Sequence, residues 1–125
     1  MKRPERMARL ARAQRALAEV AKAESIAANA RYEDSARQAD EILDALNATN
    51  VLHGFAVKAM ADTLRRNGRT TERLRRVADE RASQYVRQER TAEVLEERAT
   101  QASSEARRKE ERQRIEILVS SPRRR

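Results

Sequence analysis

The residues able to do chemistry are few and scattered. His53 is the only histidine and there is no cysteine, so neither a disulfide nor a thiolate metal site can form, and a lone imidazole cannot hold zinc. His53 has no cysteine nucleophile to activate, the serines sit in no recognisable motif, and Gly54 and Gly68 fall in no phosphate-cradling pattern. The paired acids Glu96-Glu97 and Glu110-Glu111 read as solvated helix faces. The expectation is a chain that is not an enzyme and that carries no cofactor and no metal. What remains is recognition chemistry, dominated by 24 arginines against 4 lysines. That ratio is explained equally well by a GC-rich genome and by selection for bidentate contacts.

Composition limits the scaffold that could present such groups. The chain has 125 residues, a formal net charge of +8 and 38% charged residues. Of its 49 hydrophobic residues 23 are alanine, and Ile, Leu, Val and Phe together number 21, too few for a conventional globule. The same residues in periodic order suit long helices. The start, "MKRPERMARLARAQR", is basic but leads into no apolar run of signal-peptide type, and no 18 apolar residues follow one another. A cytoplasmic location is expected. Asn47-Ala48-Thr49 matches a glycosylation acceptor, a coincidence in a chain with no secretion signal.

Two arms emerge from the pattern. Stepping through Leu10, Ala13, Leu17, Ala21, Glu24, Ala28, Tyr32, Ser35, Ala39, Leu43 and Leu46 gives a period of 3.6, which predicts a nearly straight helix over about 5–46 with Pro4 near its start. Leu74, Ala78, Arg81, Tyr85, Gln88, Ala92, Leu95, Ala99, Ala102 and Ala106 alternate steps of four and three, the coiled-coil repeat, within a second helix of about 55–118. Between them "LNATNVLHGFAV" places a turn at 47–54, with Asn47 able to end one helix in the left-handed conformation and Thr49 or Asn50 able to cap the next. "RRNGRTTE" predicts a kink or short interruption at 67–70, and also stands as the rival position for the turn.

The charges support folding back. Residues 1–15 carry net +5, residues 16–46 net −4, residues 58–90 net +5 and residues 91–104 net −2. An antiparallel pairing about residue 51 sets the acidic block beside the basic one, whereas a parallel pairing opposes like charges. The fold expected is therefore all-α, a long antiparallel two-helix coiled-coil hairpin with unequal arms, forming one domain over 1–118 followed by a basic tail at 119–125. Arms of roughly 60 and 100 Å leave about twenty C-terminal residues projecting, with Ile115, Ile117, Leu118 and Val119 lacking an intramolecular partner, and Pro122 ends the helix.

Two surfaces stand out as candidate partner sites. Phe55, Met60 and Leu64 form an apolar patch just past the turn, weighed against ordinary packing of the hairpin end. The basic ends could contact phosphates, but three aromatics, no nucleic-acid module and 20 interleaved acids argue against nucleic acid. An alanine-dominated face is too poor in bulky residues for a membrane-surface helix.

With its basic start, turn, apolar patch and charged helix ending "EARRKEERQRIEIL", the layout resembles the FliJ-type proteins of flagellar and related type III secretion export systems. The likeness spans most of the chain and rests on layout, with no invariant motif. It implies a non-enzymatic, monomeric or weakly dimeric cytoplasmic coiled coil, peripheral to the inner-membrane export apparatus, that couples the hexameric export ATPase to the export gate protein and also meets export chaperones. By the same resemblance Arg6, Arg9, Arg12, Arg107, Arg108, Arg112 and Arg114 would face the ATPase. Met60 and Leu64, with Phe55, would meet the gate; Met60 stands where the family tends to carry an aromatic. The alternative is a homo-oligomeric coiled-coil scaffold or adaptor unrelated to export, its weak seam completed by a second chain.

Overall fold

Alanine, arginine, glutamate, glutamine and leucine lose little side-chain freedom in a helix, and they fill both elements of this chain. The computed structural model describes residues 2–48 and 54–121, except the side chain of Phe55, and consists of α1, Arg3–Ala48, and α2, Gly54–Ser120. The two helices pack antiparallel as an all-α hairpin, α2 being the longer at 67 residues against 46. The chain divides into two compact units, Met1–Ala18 with Arg87–Arg125, and Glu19–Val86.

At the start of α1 the Arg6 amide bonds the Lys2 carbonyl at 3.1 Å, and Pro4 lies in the first turn, where a missing N–H costs nothing. Glu5 in that turn sits favourably at the positive end of the helix dipole. Asn47 does not end α1 in the left-handed conformation. It is helical, and no non-glycine residue among those described has a positive φ. Thr49, Asn50 and His53 lie outside the described residues, as do Pro122 and the arginines after it.

The interruption expected at 67–70 is absent, because α2 runs through it unbroken. Packing overrides the local preference of Asn67-Gly68. The Asn67 amide donates to Gln38 Oε1 of α1 at 3.4 Å, and Thr71 Oγ1 bonds the Asn67 carbonyl at 2.8 Å. Ser35 and Thr71 share a 2.6 Å hydroxyl–hydroxyl bond in the seam. With Asn67 and Thr71, on either side of Gly68, bonded to α1, the helix is held through the glycine.

The buried stripe of α1 also differs from the 3.6-residue reading. In the first unit its buried or half-buried seam residues are Pro4, Met7, Ala11, Gln14 and Ala18. In the second they are Ala21, Ser25, Ala28, Tyr32, Ser35, Ala39, Ile42 and Leu46. These positions alternate steps of three and four, a 3.5 repeat. Leu10 and Leu17, counted into the expected stripe, are each 55% exposed. A 3.6 period drifts about 20° per heptad, so over 36 residues the straight count slides off one face of the seam. On α2 the 3.5 reading fits: Leu74, Ala78, Tyr85, Gln88, Ala92, Leu95, Ala99, Ala102 and Ala106 are buried or half-buried, and only Arg81 is exposed.

The core is made of the smallest apolar side chain. The buried hydrophobic residues are Ala11, Ala18, Ala28, Ala78, Ala92 and Ala102, joined by Ser35. Small knobs let backbones approach closely and gain dispersion contacts, but each methyl contributes only about 0.8 kcal/mol of burial. Ala18 and Ala92, both fully buried, have no room to grow. Ala18→Leu or Ala92→Leu is expected to destabilise the hairpin by about 1–3 kcal/mol in urea unfolding. Ala13→Leu, on the exposed flank, should stay within about 0.5 kcal/mol.

Candidate partner-binding surfaces

Polar groups fix the pairing of the helices before any outer surface is considered. In the first unit the Gln14 amide donates to the Gln88 side-chain oxygen and lies 3.5 Å from its carbonyl. Beside it, Arg15 spans two acids of α2, reaching Glu89 at 2.6 Å and gripping both carboxylate oxygens of Glu96. In the second unit Arg81 reaches Glu24 at 3.1 Å, and the Ser35–Thr71 bond lies about three helical turns further along. Among the described residues no buried side-chain polar atom lacks a partner.

The charge blocks thus meet at few points. Among the described residues one ion pair, Glu24–Arg81, joins the acidic 16–46 block to the basic 58–90 block. The block pattern acts mainly through long-range complementarity, which salt screens.

The candidate residues fall into two groups. Arg6, Arg9 and Arg12 are exposed on α1, and Arg107, Arg108, Arg112 and Arg114 are exposed on α2, all in the first unit. The pairs 14–88 and 15–89 set the register. By that register α1 is exhausted opposite about residue 101, so the two arginine clusters follow one another and do not face each other. Every residue from Arg107 to Ser121 is exposed. Ile115, Ile117, Leu118 and Val119 are 59%, 67%, 75% and 81% exposed. The seam positions that would continue past Ala106 are Lys109, Gln113, Glu116 and Ser120, so the apolar cluster lies off the stripe that binds α1.

Met60 and Leu64 are half-buried and stand on the 3.5 repeat that leads through Asn67 and Thr71 to Leu74. They extend the seam and do not form a wholly free patch. The side chain of Phe55 lies outside the described residues.

A further face was not legible from motif reading. Arg65, Gly68, Arg69, Glu72, Arg73 and Arg76 line one shallow groove along α2 in the second unit. Their spacing of i, i+3, i+4, i+7, i+8 and i+11 was available in the sequence, but Gly68 had been assigned to a break. Among the described residues there is no group of three or more acids and histidines able to hold a metal, and no helix is long and apolar enough to cross a membrane.

Two carboxyls are perturbed. The Arg15 hydrogen bond holds Glu96 below the ordinary carboxylate range against an opposing effect of burial, and Arg75 does the same for Glu72. Arg15 in turn keeps its proton more firmly than a free guanidinium, first through Glu96 and then Glu89. Both carboxyls bind protons less tightly folded than unfolded. Their contribution is therefore complete above the ordinary value of 4.5 and is lost as pH falls through the lower folded values. Melting followed by circular dichroism should show no loss from this source between pH 7 and 5 and a decline below about pH 4.5, shallower in Glu96→Gln.

Comparison with known protein families, curated proteins and solved structures finds no match to this chain.

Proposed function

We propose that this chain is a non-enzymatic helical-hairpin stalk or adaptor of a type III (flagellar) protein export apparatus, coupling the export ATPase to the export gate. The observation that carries the reading is the end of α2. Past Ala106 a helix of fourteen residues continues with no α1 beside it, every residue exposed. It ends in Ile115, Ile117, Leu118 and Val119, each 59% exposed or more, behind the basic run Arg107, Arg108, Lys109, Arg112 and Arg114. At 100° per residue those four apolar side chains occupy more than half the circumference. Such a tip suits insertion into a surrounding protein opening better than lying on a flat surface, and the arginines behind it suit an acidic or polar rim. In this reading the ATPase supplies the catalytic residues, Met60, Leu64 and Phe55 serve the gate contact, and export chaperones are further partners. The chain would work in the cytoplasm, peripheral to the inner membrane.

A second reading, a homo-oligomeric coiled-coil scaffold, is favoured by Leu10 and Leu17, seven residues apart and each 55% exposed. Sedimentation separates the two, because the stalk is a monomer and the scaffold a dimer or larger.

Pull-down with the purified hexameric export ATPase at low salt is the direct test, and an absence of binding there would overturn the export reading. Ile117→Glu with Leu118→Glu changes only exposed positions and should leave the melting temperature unaltered. It is expected to weaken ATPase binding at least about tenfold, equivalent to ~1.4 kcal/mol.

A further inference from the structure

Gly68 is a helix-interior glycine that the fold itself does not require. Its φ is not positive, and a Cβ built on it would meet nothing within 4 Å. Alanine would fit there and would make α2 more stable, and a longer side chain would start out into open space. The remaining use of glycine at such a place is close approach of something from outside.

What surrounds Gly68 indicates the chemistry of that approach. Arg65, Arg69, Arg73 and Arg76 form a row along the same groove, successive members being about 6 Å or less apart along the axis. Arg65 reaches Asp62 at 3.5 Å and Arg76 reaches Glu72 at 3.6 Å. Arg69 and Arg73 pair with no carboxylate among the described residues. The one acid lining the groove, Glu72, is shared between Arg75 and Arg76.

We infer that the Gly68 groove of α2, with Arg65, Arg69, Arg73 and Arg76, is a docking surface for an acidic helix of a partner protein. Carboxylates four residues apart on a helix recur every 6 Å or so, matching the arginine row, and guanidinium forks take carboxylates bidentately. The notch at Gly68 lets the partner backbone come close between them. A nucleic acid fits less well. The face has no aromatic on which bases could stack, and Glu72 would meet a continuous phosphate backbone, whereas a helix offers gaps between its carboxylates. A second copy of this chain also fits less well. Its acidic run on α1, Glu33 to Asp44, is interrupted by Arg37, which is paired with Asp34 and would stand against the row. This inference does not rest on the export reading.

The test uses the full chain and a fluorescent, alanine-rich helical peptide with three glutamates at i, i+4 and i+8. A control peptide of the same composition has its glutamates spread around the helix. Anisotropy at low ionic strength should show the row peptide bound at least about tenfold more tightly than the control. Arg69→Gln with Arg73→Gln should abolish that difference. Gly68→Gln should raise the melting temperature yet weaken the row peptide at least about tenfold, a pairing of effects that a purely structural glycine could not give. Equal affinity for the two peptides, or unchanged binding by Gly68→Gln, would overturn the inference. So would tighter binding of an oligothymidylate, which assigns the face to nucleic acid. Self-association abolished by the arginine substitutions would overturn it too, in favour of a second copy.

Discussion

Everything in this hairpin depends on how little lies between its helices. The fully buried positions of the seam are alanine with one serine, which permit close approach, while its larger members, among them Tyr32, Leu74, Tyr85 and Leu95, are only half-buried. The apolar residues that would fill a core elsewhere are therefore displaced outward, and Leu10, Leu17, Val20 and Ile26 are all more than half exposed. Stability comes from many small contacts along the helices, and no large side chain is fully buried among the described residues. A scaffold of this kind holds together with little buried material and leaves large apolar side chains on its outer faces.

The fold was legible because composition and repeat pointed the same way. The shortage of large apolar residues excluded a globule, and the 3.5 repeat on α2 named the residues that the structure buries or half-buries there, save Arg81. The stripe on α1 was misread for a physical reason. A 3.6-residue count drawn through Leu10 and Leu17 follows the larger side chain, whereas in this part of the seam Ala11 and Ala18 are the buried residues and the two leucines lie outside. From Ala28 to Ala39 the two counts coincide, which is why Tyr32 and Ser35 were placed on the seam by both.

The local breakers were misleading in a similar way. Asn67 and Gly68 carry a strong turn signal as a dipeptide, but it gives way once Asn67 bonds Gln38 and Thr71 bonds Ser35 across the helices. Such pairings depend on register, which a single sequence does not display residue by residue. The candidate surfaces were legible in part: the exposed end at Ile115–Val119 follows from unequal arms, while the arginine groove could be seen only once α2 was known to run through Gly68. Met60 and Leu64, set apart as a patch, turned out to share the seam.

The clamp at Arg15 touches Glu89 and Glu96, acids one heptad apart. Alanine recurs at heptad spacing in the seam, at Ala11 and Ala18 and at Ala21 and Ala28 on α1 and at Ala92, Ala99 and Ala106 on α2, so sliding one helix along the other by seven residues replaces alanine with alanine at those rungs. Arg15 would be handed from one carboxylate to the other during such a slip and offers little resistance to it. The other pairs across the helices are what resist, Glu24–Arg81 among them, since the slip sets Glu24 against Leu74 or Gln88. Gln14 would lose Gln88, and Ser35 would leave Thr71 for Ala78 or Leu64, stranding its hydroxyl in an apolar setting. Axial position is thus locked by amides, hydroxyls and the Glu24–Arg81 pair, while the Arg15 clamp behaves as a bearing.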